Sequence, residues 1–199
     1  MSRTFNEAVE HRRSIYSLKK ESSLSDVQLE ELIAYALKHA PSPFNSQSGR
    51  VLLLTGQEHD KLWNHIKEIL RGIVPADRFG DTEQKLDSFR AGYGTVLFFE
   101  DQDTVRTLQE QFPLYKDNFP VWSLQSSGML QYIVWTSLED NGLGASLQHY
   151  NPLIDKTVAQ LWNIPANWKL LSQMPFGIPG GEAGPKSFLP IEDRFRVAR

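Results

Sequence analysis

The stretch Pro41-Ser42-Pro43-Phe44-Asn45-Ser46-Gln47-Ser48-Gly49-Arg50-Val51-Leu52-Leu53-Leu54-Thr55 carries the chain out of a helix, through a polar loop and into a strand. Ahead of it, Ser25 and Gln28 have capping-box spacing, and Leu29, Leu32, Ile33, Ala36 and Leu37 form one helical stripe. Pro41 and Pro43 end that helix, because proline lacks a backbone donor and pushes the residue before it out of the helical region. The loop Pro41–Gly49 is polar. Val51–Thr55 is then a short apolar run closed by Gly56, the pattern of a buried strand.

Outward from this junction, strands and helices stay interspersed. Leu62, Ile66, Ile69, Leu70 and Ile73 predict a helix, Pro75–Asp81 a loop, and a short helix follows to Arg90. Thr95–Glu100, TVLFFE, is a second buried strand. Val105, Leu108 and Phe112 suggest a short helix, and Tyr115–Val121 is irregular. Trp122–Asn141 is the longest helical stretch. Its Leu124, Met129, Leu130, Ile133, Val134, Trp135 and Leu138 occupy more than one face, as in a helix that is buried or lies in an interface. After Gly142 and Gly144 come a short strand or extended loop (Ala145–Tyr150), a helix through Leu153, Val158, Leu161 and Trp162, and a third strand at Trp168–Phe176. At the other end, Thr4 and Glu7 open a first helix that runs to about Arg13, with Phe5 and Val9 on one face. The tail after Gly177 is rich in proline and glycine, and Ile191–Val197 is a candidate extended segment. Such a tail is either an arm that embraces a second subunit or a segment hugging its own surface. No linker or repeat divides the chain, so residues 1–199 form one α/β or α+β domain.

Composition narrows the function. With 199 residues, 40% hydrophobic and 23% charged, the chain can build an ordinary globular core. A net charge of −3 gives no general attraction to nucleic acid or to anionic membranes. The absence of cysteine excludes disulfides, thiolate nucleophiles and cysteine-based metal sites. Met1–Leu18 mixes charged and apolar residues and does not read as a secretory leader, and no segment has the ~18 apolar residues of a membrane span. Cytoplasm is the expected location.

Several familiar motifs fail. Gly180–Ser187, GGEAGPKS, superficially resembles a phosphate-binding loop, but Pro185 interrupts it and Pro190 denies it a following helix. No G-x-G-x-x-G follows a strand and no G-x-S-x-G occurs. His11, His39, His59, His65 and His149 make no H-x-x-x-H pair, and Asp101 with Asp103 lacks the rest of a calcium loop. Arg194, Arg196 and Arg199 read as a solvated face.

Four polar clusters remain. Arg12-Arg13-Ser14 ends the first helix. Its guanidiniums either complement the helix dipole or, with the serine hydroxyl, grip a phosphate. Asn45 and Gln47 offer donors and acceptors from a loop that is otherwise a surface turn. Ser146-Leu147-Gln148-His149-Tyr150 is the third cluster and Pro185-Lys186-Ser187 the fourth. Trp122, Trp135 and Phe119 either pack the core or line a substrate cavity.

Taken in order, these segments resemble the nitroreductase family over almost the whole chain. The resemblance rests on R-R-S near the N-terminus, on Pro41-Ser42-Pro43-Phe44-Asn45-Ser46-Gln47 before the first strand, on Gly142-Leu143-Gly144, on Pro175-Phe176-Gly177 and on a late Pro185-Lys186. F-N-S-Q-S with A-S-L-Q-H-Y-N-P is similar to the branch holding the yeast fatty-acid-repression-mutant protein and its bacterial relatives. The resemblance implies an α+β three-layer sandwich, with a mainly antiparallel sheet between helices and a C-terminal arm exchanged in a homodimer. It implies FMN as cofactor, NADH or NADPH as electron donor, and nitroaromatic or quinone-type small molecules as acceptors reduced by a ping-pong mechanism. Arg12, Arg13 and Ser14 would meet the FMN phosphate or ring edge. Asn45 and Gln47 would hold the flavin or its ribityl chain, Gln148, His149 and Tyr150 would lie near the ring, and Lys186 and Ser187 would close on the phosphate. His149 is a candidate proton donor, and a hydrogen-bonded structural histidine otherwise. Two positions depart from the pattern. Tyr16 and Phe188 stand where many members are basic, and Tyr16 would supply a hydroxyl or stack instead. The same resemblance leaves open a flavin-binding regulator of redox or lipid status with little turnover.

Overall fold

The computed structural model describes residues 3–199. Met1 and Ser2, which belong to the segment read above as lacking a leader, lie outside the described residues. The chain forms α1 (Phe5–His11), β1 (Leu18–Lys19), α2 (Asp26–His39), β2 (Gly49–Thr55), α3 (Gly56–Arg71), α4 (Phe79–Arg90), β3 (Gly94–Asp101), α5 (Gln102–Gln111), α6 (Phe119–Asp140), β4 (Gly144–Ala145), α7 (Asp155–Leu161) and β5 (Trp168–Pro179).

The strands make one open antiparallel sheet in the order β1-β5-β3-β2, with β4 also paired to β5. β3 is central and buried along its whole length. Successive side chains of a strand point to opposite faces. Val96 and Phe98 therefore pack with Met174 and Phe176 under α2 and α6. Leu97 and Phe99 pack with Leu54 and Leu170 under α3, α4 and α7. Both faces of TVLFFE are covered, which is why it reads as a continuous apolar run rather than an alternating one. The result is the expected α+β three-layer sandwich.

Both capping boxes form. Thr4 and Glu7 exchange bonds at α1, and Ser25 and Gln28 do so at α2, each satisfying amides that a helix start leaves open. Elsewhere the sequence expectation shifts. α1 ends at His11, so Arg12 and Arg13 lie beyond it, and Ala8 rather than Phe5 is its buried residue. α6 begins at Phe119, with Pro120 in the first turn, where its missing N–H costs nothing. β5 continues past Phe176 to Pro179 and pairs with the two-residue β1. Ile191–Val197 is not extended as a whole: it opens with a 3-10 turn at Ile191–Asp193 and, among the described residues, makes no strand pairing.

One buried polar chain ties the α3 layer to the sheet. The indole N–H of Trp63 donates to Thr95 Oγ1 at 2.9 Å, and His59 Nδ1 lies 2.8 Å from the same hydroxyl. His59 Nε2 lies 3.1 Å from the Arg90 carbonyl, which can only accept. Nε2 therefore carries the proton, and Thr95 donates to Nδ1. Burial pushes the His59 imidazole down to about 4. Because the folded value lies below the usual 6.5, the unfolded chain takes up the proton first as pH falls. The contribution is complete above pH 6.5 and declines from there to about pH 4. Urea unfolding is expected to show a loss on the order of 2 kcal/mol between pH 7 and pH 5 from this group. His59→Gln should flatten that part of the profile, and an unchanged profile would refute the assignment.

Candidate functional site

A cavity of about 530 Å³ opens where the segment after α1 meets the start of the tail, lined by Arg12, Arg13, Ser14, Tyr16, Ser17, Glu182 and Lys186 among others. Sequence order alone separates these two segments, and the sheet brings them together. Ser14 bridges Ala145 of β4 in parallel, and the Ile15 amide donates to the Ala145 carbonyl at 2.9 Å. Gly144 makes that approach possible, because a Cβ there would lie 2.9 Å from Ile15 Cβ. On the other side, the Gly180 amide donates to the Ser17 carbonyl at 2.8 Å, and Arg13 Nη2 donates to the Gly184 carbonyl at 2.8 Å. Arg13 thus fastens the tail and holds Lys186 over the cavity.

The charges in the cavity are left available. Among the described residues, Arg12, Arg13 and Lys186 form no ion pair. Arg12 Nε is buried without a hydrogen-bond partner. Its guanidinium lies 4.4 Å from the Trp135 ring centroid, and Lys186 Nζ lies 5.0 Å from that of Phe188. The Arg12 and Lys186 cations and the Ser14 hydroxyl are donors suited to an organic phosphate. A second cavity of about 540 Å³, between α1, α2 and α6, differs in this respect. Its cation, Arg3, is already paired with Glu139 at 2.9 Å.

A family model described as the nitroreductase family matches residues 9–178. The chain belongs to the nitroreductase family. It is 34% identical over 187 residues to the nitroreductase FRM2 of Saccharomyces cerevisiae, covering 92% of this chain and 91% of that one. Among solved structures it is similar to nitroreductase CinD from Lactococcus lactis in complex with chloramphenicol, at 48% identity and a TM-score of 0.90, covering 98% of this chain and all of that one. The same protein in complex with 4-nitrophenol matches equally well.

The remaining residues of the nitroreductase pattern lie elsewhere in this chain. Phe44, Asn45 and Gln47 all have positive φ (54°, 52° and 49°), a region non-glycine residues seldom occupy. The loop is held by aromatic packing and polar ties. Phe44 sits 4.6 Å from Phe112 and 5.5 Å from Phe119 between ring centroids. The Gln47 amide donates to Ser42 Oγ at 2.9 Å, and Arg50, paired with Asp101, donates to the Gln47 carbonyl at 2.7 Å. Strand register puts this loop far from the cavity. Gly49 aligns through Glu100 with Lys169, whereas Ser14 aligns through Ala145 with Phe176, at the other end of β5. That offset is about 20 Å along the strands.

Gln148 and Tyr150 turn inward. Gln148 is buried and donates to Ser146 Oγ at 3.0 Å, and the Tyr150 amide donates to Gln173 Oε1 at 2.8 Å. Tyr150 packs edge-on against Trp63, and burial pushes its phenol up to about 12. His149 between them is exposed, as is Ser187 beside Lys186. Phe119 is buried in an aromatic cluster with Phe112 and Trp122, and Trp135 lies under Arg12, so neither stands free as a cavity wall. Asp101, which had resembled the start of a calcium loop, caps α5 by accepting from the amides of Asp103 and Thr104. Trp135, a candidate cavity wall from the sequence, instead lies beneath Arg12, and Tyr132 beside it has no counterpart in the sequence reading.

Proposed function

We propose that this nitroreductase is an FMN-dependent enzyme that takes electrons from NADH or NADPH and reduces nitroaromatic or quinone-type acceptors by a ping-pong mechanism. The observation that carries the reading is the cavity of Arg12, Ser14 and Lys186, whose cations form no ion pair among the described residues although Glu182 also lines it. Arg12 and Lys186 would offset the charge of the FMN phosphate, Ser14 would donate to it, and Ser187 would close beside it. Arg13 would act on the tail that carries Lys186, and Tyr16 would present its phenol at the cavity edge. Bound FMN supplies the two-electron chemistry between nicotinamide and acceptor. Gln148 and Tyr150 would set the backbone near the ring, and His149 is the candidate proton donor to product. The complexes of CinD, 48% identical, with chloramphenicol and 4-nitrophenol, both nitroaromatic compounds, support the acceptor class.

The same geometry supports a homodimer. Asn45 and Gln47 are too far from the Arg12 cavity to reach one flavin within a chain, so a second copy would bring them to it. Apolar side chains await a partner: Val121, Leu124 and Met129 are exposed on α6, and Phe188, Leu189, Ile191, Phe195 and Val197 on the tail. The tail up to Lys186 would stay with its own chain, as its ties to Ser17 and Arg13 suggest, and the arm exchanged between subunits would be the part beyond it. A cytoplasmic location suits the cysteine-free chain.

Initial rates with NADH or NADPH and a quinone, each varied against the other, test the reading. One site used in turn by donor and acceptor should give parallel double-reciprocal lines. Intersecting lines would contradict the ping-pong order. A yellow chain without turnover would favour the regulatory reading.

A further inference from the structure

We propose that the Tyr132–Trp135 face of α6 positions Arg12 for the anion and keeps its charge unspent, an inference that rests on reading the Arg12 cavity as the FMN phosphate site. Tyr132 and Trp135 are three residues apart on a helix, so their rings stand side by side on one face. The Arg12 guanidinium carbon lies 4.4 Å from the centroid of Trp135 and 5.9 Å from that of Tyr132. Arg12 needs such a holder. It follows the last turn of α1, its backbone has left the helix, and its guanidinium has no hydrogen-bond partner among the described residues.

The chemistry of the holder matters. A carboxylate would fix a guanidinium equally well but would neutralise it and occupy the donors that a phosphate needs. An aromatic face attracts the cation through its quadrupole and leaves the in-plane N–H donors free. The nearest acid on this part of α6, Glu139, is one turn further on and is taken by Arg3 at 2.9 Å. That carboxylate is therefore engaged by Arg3, and among the described residues Arg12 forms no ion pair with it or with Glu182 of the cavity lining. The Trp135 indole is half-buried against the α2–α6 core, so it is itself held in place.

The test compares FMN with riboflavin, which lacks the phosphate, by titrating the full-length chain. Trp135→Leu should weaken FMN binding roughly tenfold and change riboflavin binding less than about twofold. Trp135→Phe, which keeps an aromatic face, should recover most of the loss. In an Arg12→Ala background Trp135→Leu should add nothing, because the interaction it removes is already gone. If Trp135→Leu does not fold, Tyr132→Leu, at a more exposed position, carries the comparison, with an FMN-selective loss of about threefold expected. Equal losses for both flavins, no loss, or a loss that persists without Arg12 would overturn the positioning role alone. A wild-type chain that prefers FMN no more than riboflavin would overturn both this role and the phosphate reading of the cavity.

Discussion

Arg12→Ala should yield a folded protein that is purified with little flavin. A charge-assisted hydrogen bond to a ligand is worth about 1.5–3 kcal/mol, so FMN binding should fall roughly 10- to 150-fold. Stability should fall by no more than about 0.5–2 kcal/mol, the worth of the aromatic contact, because Arg12 makes no ion pair among the described residues. Arg12→Lys should fall between the two, since it keeps the charge but not the planar fork that grips two phosphate oxygens. The ratio of flavin absorbance to protein absorbance in the purified chain measures the effect. An unchanged ratio in Arg12→Ala would remove Arg12 from the phosphate site.

A mixture of two inactive variants should regain flavin binding. The Arg12 cavity lies about 20 Å along the sheet from the loop bearing Asn45 and Gln47. If each flavin is held by the cavity of one subunit and the loop of the other, Arg12→Ala and Asn45→Ala/Gln47→Ala damage opposite sides of every site. Unfolding and refolding the two together gives heterodimers in which one site collects both defects and the other none. Random pairing then restores about a quarter of all sites. Arg12→Ala mixed with Lys186→Ala should recover nothing, because both residues line one cavity of one chain. Recovery in the second mixture but not in the first would reverse the subunit assignment.

Much of the fold was legible because its signals are local. The boxes Thr4–Glu7 and Ser25–Gln28 mark helix starts within four residues, and the run Thr95–Glu100 marks a strand covered on both faces. What escaped depends on distant partners. β1 is two residues long and exists because β5 extends past Phe176 to meet it. Tyr115–Val121 reads as irregular, yet α6 already begins at Phe119, because Pro120 in a first turn breaks nothing. Of the site, Arg12, Arg13, Ser14, Tyr16 and Lys186 converge in one cavity, while Asn45 and Gln47 do not join them within one chain. The place of Trp135 beneath Arg12 has no local signal. Its spacing is that of any core helix, and only the packing of α1 against α6 reveals the pair. Asp101 could have been read correctly, since an aspartate just ahead of a helical segment is a common cap.

This chain is proposed to hold FMN and to reduce it with a nicotinamide. The visible absorption spectrum of the purified, undialysed protein, recorded before and after anaerobic addition of NADH and then NADPH, tests it most directly. A yellow protein bleached by one or both donors is the predicted result. A colourless protein that FMN does not reconstitute would contradict it.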